Sequence, residues 1–426
     1  MKKCLSVLLA VMMVLSLAPV TSLAAEKVQI RYVTWDSEDY YIKPLVEKFN
    51  ASQDRIEVIY DSFPTLNDEY VTKVLNMLSV EGQLDVFAVR DMSYFADYVK
   101  YNALLPLNDL ISESKVDLLP FGSTVSSCQL DETYYAMPYR KSVWFLMYSP
   151  NFFEKMGMEN PGMKQLTWAE ANEIAKACTT YNADGTQATF GWGGQWISLA
   201  SNESLRALGQ YGQLITDDDC SAYKKVLDRL YQYYMVDKTP QDYATAKAIG
   251  KQGSGVAFYN YQCAFNINSD FTLGMMRSDM VKSQFPEGFT YNITYLPIDE
   301  GMEPHTSFGS VVTTAINAET KHPKEAFEFL MYLCGEEGAT ELAKNSVLPA
   351  YSSQLVEDTY RSNALEGLNV DVLFKSIPLQ DEAVTDKAAE LSEMTFEEVE
   401  RLYIEGATPE QVYESWNARR LEILGK

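Results

Sequence analysis

The chain has 426 residues, 46% hydrophobic and 12% aromatic, and its 59 acidic residues against 35 basic ones give a formal net charge of -24. So acidic a surface repels phosphate backbones, which excludes nucleic acid as a partner. The length suits two or three domains of ordinary size, and cores of that extent need no disulfide staples.

At the start, Lys2 and Lys3 precede the apolar run "LSVLLAVMMVLSLAPV", and Ser22-Leu23-Ala24 puts small residues ahead of a cut near Ala25. Residues 1–24 therefore read as a secretory signal peptide, and the mature chain is expected outside the cytoplasm. No later stretch is long and apolar enough for a membrane-spanning helix, so the mature chain is expected to be soluble. Cys4 lies ahead of the apolar run and cannot be a lipid-bearing cysteine at the cleavage site. The remaining Cys128, Cys178, Cys220, Cys263 and Cys334 are far apart and form no C-x-x-C pair, which argues against a zinc site or a disulfide framework.

From Val28 the side chains alternate up to Trp35, and Ile42, Leu45, Val46 and Phe49 then recur at helical spacing. "RIEVIYDSF" is a second strand, "LNDEYVTKVLNMLSVEG" a second amphipathic helix, and "LDVFAVRD" a short apolar strand of the kind buried in a parallel sheet. Strand and helix alternate, which predicts a doubly wound α/β unit. "SVWFLMY" is too continuously apolar for a surface strand; "PNFFEKMG" is a short helix opened by Pro150 and closed by Gly157. "LTWAEANEIAKAC" carries a capping box from Thr167 to Glu170, and Asp184-Gly185 signals a hairpin. Residues 200 to 250 read as helical, and "GVAFYNYQCAF" and "FTYNITYLPID" as strands. A further strand begins "GSVVTTAI", Pro323 opens a helix, and Thr408 with Pro409 opens the last one.

In order and spacing these segments resemble the extracellular solute-binding proteins of ABC importers, specifically the carbohydrate-binding, maltose-binding-protein-like group. The resemblance rests on "YVTW" and on "YVTKVLNMLSVEGQLDVFAV" followed by "YNALLPLNDLI". It continues through "YYAMPYRKSVWFLMYSPNFFEKMGMENPGMKQLTWAEANEIAK" and "VVTTAINAETKHPKEAFEFLMYLCGEEGATELAKNSVLPAYSS". It implies an α/β, two-lobed periplasmic-binding-protein fold, each lobe a mixed sheet flanked by helices and the two hinged by crossing strands. Lobe 1 would be residues 25–140 and 313–347, and lobe 2 residues 141–312 and 348–426. It also implies a monomer without cofactor that passes its ligand to membrane permease subunits. Two features depart from the family pattern: Asn260-Tyr261-Gln262 stands where many relatives have a Gly-x-Trp turn, and Ala25 stands where Gram-positive relatives carry a lipoprotein cysteine.

The cleft of an open α/β sheet lies at the carboxyl ends of its strands. A pyranose offers an apolar C–H face and a rim of hydroxyls, so its site needs flat aromatic rings beside charged or amide groups. The candidates are Trp35, Asp36 and Glu38 after the first strand, Ser62 and Phe63 after the second, and Arg90 and Asp91 after the third. Tyr139, Arg140, Lys141 and Trp144 lie on the first crossing segment, and Trp192, Gln195 and Trp196 in "FGWGGQW". Tyr259, Asn260, Tyr261 and Gln262, and then His305, Phe308 and Gly309, complete the set. Trp168 and Trp416 are expected to pack, and Arg90 with Asp91 could equally be a plain ion pair. Arg140 and Lys141 leave open an acidic sugar gripped by Arg as against a neutral oligosaccharide held by aromatic rings.

An enzyme is not expected. A glycosidase needs a placed pair of carboxylates, and abundance of acids identifies none. There are two histidines, His305 and His322, and no G-x-S-x-G, H-E-x-x-H or P-loop motif. A third class, the same fold serving a polyamine, peptide or metal chelate, is suggested by the acids at 36 to 39.

Overall fold

The computed structural model describes residues 27–64, 69–90, 92–193, 202–249, 256–277 and 279–426. The signal-peptide residues, Asp91, Gln195 and Trp196 lie outside them. Strand β1 (Val28–Trp35) turns through a single 3-10 turn at Asp36–Glu38 into helix α1 (Asp39–Ser52). The α1 face made of Tyr41, Ile42, Leu45, Val46 and Phe49 is buried. Strand β2 (Ile56–Phe63) returns parallel to β1 in unbroken register from Val28 against Ile56 to Trp35 against Phe63. Helix α2 (Glu69–Leu78) and strand β3 (Val86–Val89) repeat the unit, and helix α3 (Met92–Lys100) follows. All four residues of β3 are buried, as its unbroken apolar run requires of a central strand.

Strand β4 (Ala136–Lys141) forms an edge of the first sheet, and the next strand, β5 (Trp144–Tyr148), already belongs to a second sheet. Trp144, Leu146 and Tyr148 enter one apolar cluster while Phe145 and Met147 enter another, so β5 is buried on both faces. Helix α4 (Pro150–Met156) closes on Gly157 in the left-handed region at φ 68°. Helix α5 (Trp168–Cys178) has both halves of the capping box between Thr167 and Glu170. A hairpin of β6 (Thr180–Tyr181) and β7 (Gln187–Trp192) turns at Gly185, φ 85°. Helices α6 (Arg206–Gly209) and α7 (Ala222–Tyr231) lead on towards β8 (Cys263–Ser269), helix α8 (Asp270–Met275) and β9 (Asn292–Tyr295). The sequence places the strand from Gly255 onward; instead Val256–Tyr259 is a helical turn and the strand starts at Cys263. A short continuous apolar run is compatible with either, and the positive φ of Tyr261 (55°) makes the corner between them.

Strand β10 (Thr306–Gly309) is followed by β11 (Val311–Ile316), which returns to the first sheet. Helices α9 (Pro323–Cys334) and α10 (Glu336–Lys344) come next, then strand β12 (Ile377–Gln380) and helices α11 (Ala388–Ile404) and α12 (Pro409–Ile423). The sheet orders are β2-β1-β3-β11-β4 and β9-β5-β8-β7-β6, with β10 and β12 forming a parallel ribbon. Each five-stranded sheet is mixed and has its own core, so the molecule is two-lobed. Trp416 is fully buried, its indole donating to Thr395 at 2.8 Å, and the five cysteines are buried and unpaired.

Where the chain passes between lobes, its segments are stitched together. Ser142 N–H donates to the Ser310 carbonyl at 2.8 Å, Ser310 N–H donates to Ser142 Oγ at 2.9 Å, and Lys141 N–H donates to the Leu348 carbonyl at 3.1 Å. Gly309 permits the approach: a Cβ there would lie 2.0 Å from the Ser142 carbonyl oxygen.

Candidate functional site

Strand direction sets which residues meet. β1, β2 and β3 run parallel, and β4 is parallel to β3 through the antiparallel β11, so Trp35, Arg90 and Arg140 emerge at one edge. In the second sheet Ser269, at the carboxyl end of β8, pairs with Trp144, at the amino end of β5. Trp144 and Asp270 therefore face the same gap from the other lobe. A cavity of about 260 Å³ lies between, lined on the first side by Trp35, Glu38, Tyr40, Tyr41, Arg90 and Arg140. On the second side are Trp144, Arg206, Asp270, Phe271, Met275 and Glu382.

Glu38 organises the first wall. The turn after β1 points its carboxylate inward, where it is 2% exposed and accepts from Thr34 Oγ1 (2.9 Å), Tyr139 Oη (2.5 Å) and Arg140 Nε (3.0 Å). Three donors, one of them a guanidinium, satisfy a charge that burial would otherwise make costly. Arg140 is thereby held with its guanidinium 5.8 Å from the Trp35 ring centre, and Trp35 is braced edge-on by Tyr70 at 5.5 Å. Arg140 Nε is committed to Glu38, and Nη1 and Nη2 have no acceptor among the described residues.

The second wall carries the opposite deficit. Asp270 is fully buried; Oδ1 accepts the Val143 N–H at 3.3 Å, while Oδ2 has no hydrogen-bond partner among the described residues. Burial pushes its pKa up to about 6, against the restraining pull of Arg140 and of nearby backbone N–H groups. Burial likewise pulls Lys141 below the usual lysine range, with Asp270 acting the other way. Glu382 joins the walls, accepting the Met92 N–H at 3.1 Å through Oε2 and pairing with Arg206 through Oε1. Arg206 also reaches Asp381 at 3.2 Å.

Of the residues singled out from sequence, Trp35, Glu38, Arg90, Arg140 and Trp144 line the cavity. Tyr139 does not: it is fully buried behind Glu38. Asp36 is exposed on the turn, Lys141 is half-buried beside the cavity, and Phe63 is half-buried with Lys73 Nζ 5.9 Å from its ring centre. Trp192 is a core residue, because β7 sits a step back in the sheet: Trp192 pairs with Phe265, not with Ser269. It stacks on Tyr233 at 5.5 Å and lies 6.2 Å from Trp168. Tyr259, Asn260, Tyr261 and Gln262 stand at the amino end of β8, where Tyr259 and Tyr261 join an aromatic group with Phe285 and Phe289. His305 stacks flat on Tyr295 at 3.9 Å, and Phe308 packs behind Trp144 at 5.3 Å. Ser37, Tyr40, Tyr41, Arg206, Asp270, Phe271 and Glu382 are cavity residues that the sequence reading did not select.

Residues 34–340 match the model of the family described as bacterial extracellular solute-binding protein. An uncharacterized lipoprotein from the oleD 5' region of Streptomyces antibioticus is 23% identical over 332 residues, 76% of this chain and 70% of that protein. Among solved structures, a sugar transporter from Rhizobium etli in an open conformation superposes with TM-score 0.78 at 18% identity, covering 93% of this chain and 99% of that one. An ABC substrate-binding protein from Listeria monocytogenes in complex with cycloalternan gives 0.77 at 18% identity, over 94% and 100%. A maltose/maltodextrin-binding domain from Bdellovibrio bacteriovorus, bound to maltotriose, gives 0.66 at 17% identity, over 94% and 100%.

Proposed function

Because the chain belongs to the bacterial extracellular solute-binding proteins, we propose that it captures a neutral carbohydrate between its lobes and delivers it to an ABC importer. The observation that carries this reading is the composition of the cavity. Trp35, Tyr40, Tyr41, Trp144 and Phe271 supply apolar ring surface, and Arg90, Arg140 and Arg206 are matched in charge by Glu38, Asp270 and Glu382. Such a site has donors and acceptors in both senses for hydroxyls and no net charge to neutralise. An acidic sugar fits less well, since Arg140 already serves Glu38 and a second carboxylate would face Asp270. The sugar ligands of the Listeria and Bdellovibrio proteins support the same class.

On this reading the protein binds without turnover, works outside the cytoplasm as a monomer and engages permease subunits. The lobes divide near residues 140, 312 and 347. A thermal-shift screen of the purified protein against maltotriose, mannobiose, cycloalternan, glucuronate, spermidine and short peptides tests it. A ligand at 100 times its Kd adds about 2.7 kcal/mol, which for a chain this long is a shift of about 3 °C. Shifts with neutral sugars alone are expected; a shift with glucuronate or spermidine alone refutes the neutral-sugar assignment.

A further inference from the structure

Among the described residues, Asp270 is the one cavity carboxylate with an oxygen left over. Glu38 has three protein donors, and Glu382 takes Met92 N–H and Arg206. The Asp270 side chain is wholly out of solvent and yet lines the cavity with Oδ2 unbonded. A buried carboxylate oxygen without a donor is costly, so its retention at a cavity wall points to a donor that arrives with the ligand. The groups acting on it are Arg140 and Lys141 from β4, Tyr40 from α1, Tyr360 from the helix Gln354–Asn363, and the backbone N–H groups of Val143, Phe271 and Asp270 itself. None of them hydrogen-bonds Oδ2.

We infer that Asp270 is the specificity-determining acceptor of the cleft: Oδ2 accepts a hydroxyl proton of the bound sugar, while the Nη groups of Arg140 donate to the sugar's oxygens. The inference rests on the carbohydrate reading and sharpens it. A hydroxyl both donates and accepts, and therefore satisfies an acid and a guanidinium together; a carboxylate would meet only the guanidinium. An ammonium would meet only the acid, and would enter beside three arginines.

The test compares the full wild-type chain with Asp270→Asn, which keeps size and can still accept the Val143 N–H. Calorimetric titration uses maltotriose, mannobiose and D-tagatose, together with monodeoxy analogues of whichever sugar binds; melting of each protein without ligand is recorded at pH 7.5. The expected results are a 10- to 100-fold loss of sugar affinity in Asp270→Asn, on the scale of one charged hydrogen bond. One deoxy analogue is expected to bind wild type as weakly as the variant and to show no further loss in it. The unliganded variant is expected to melt higher than wild type, because the unpaired charge is gone. Affinity within twofold of wild type, or an unliganded variant that melts no higher, overturns the inference. Binding of spermidine that the substitution abolishes also overturns it, in favour of an ammonium site. Absence of any sugar shift in wild type is failure of the carbohydrate reading instead, and the melting of the unliganded variant still reports on Asp270.

Discussion

Replacing Asp270 by Asn should make the unliganded protein more stable, and by an amount that depends on pH. The carboxyl titrates near 6 in the folded chain, against 3.8 for the unperturbed group. The folded state thus holds the proton more tightly than the unfolded one. Below about pH 4 both states are protonated and the group contributes nothing pH-dependent; between about 4 and 6 stability falls as pH rises; above about 7 the full cost is present. About two pKa units correspond to about 3 kcal/mol. With an unfolding entropy of about 2.1 cal/mol/K per residue over about 400 residues, that is about 3 to 4 °C in Tm. The assay is differential scanning calorimetry of wild type and Asp270→Asn from pH 4 to 8 at constant ionic strength. The difference between the two melting temperatures should be smallest at pH 4 and should widen through pH 6 to a plateau. A difference that is flat with pH, or that widens towards acid, would refute the reasoning, because it would mean that the folded site holds the carboxylate comfortably.

Other substitutions separate the roles of neighbouring residues. Glu38→Gln leaves Arg140 buried without its counter-charge and should cost about 3 kcal/mol in chemical denaturation, along with most of the sugar affinity. Trp192→Ala should cost about 3 to 5 kcal/mol of stability yet leave Kd for a bound sugar within a few-fold, whereas Trp144→Ala should weaken binding as well. Gly309→Ala forces the crossing strands apart and should lower stability by about 1 to 3 kcal/mol; small-angle scattering should show an altered angle between lobes even without ligand.

Much of the fold was legible because alternation in β1 and β2, the apolar run of β3 and the caps of α4, α5 and α12 each have one ready structural solution. The crossing segment was legible for the same reason: Arg140 on a strand otherwise buried needs a partner, and Glu38 supplies it. The second wall was not. Reading residues 255–265 as one strand started it too early and ended it at Phe265, short of Ser269, so the sequence pattern pointed to Asn260 and its neighbours instead of Asp270 and Phe271. Nothing local distinguishes a buried helical turn from a buried strand over four residues. Arg206 and Glu382 are distant in sequence from each other and from β8, and no local pattern marks either as facing a cleft. Trp192 misled for the opposite reason, since a tryptophan at a strand end looks the same whether or not that strand reaches the rim.

The order β2-β1-β3-β11-β4 also governs when the first lobe can be completed during synthesis. Its fourth strand, β11, begins at Val311 and fills the place between β3 and β4, which are both made long before it. A nascent chain shorter than that has the three-stranded piece β2-β1-β3 and the lone strand β4, with nothing to join them. Contacts of such long range make for slow folding. The sheet of the first lobe therefore cannot close until roughly three-quarters of the polypeptide has been made.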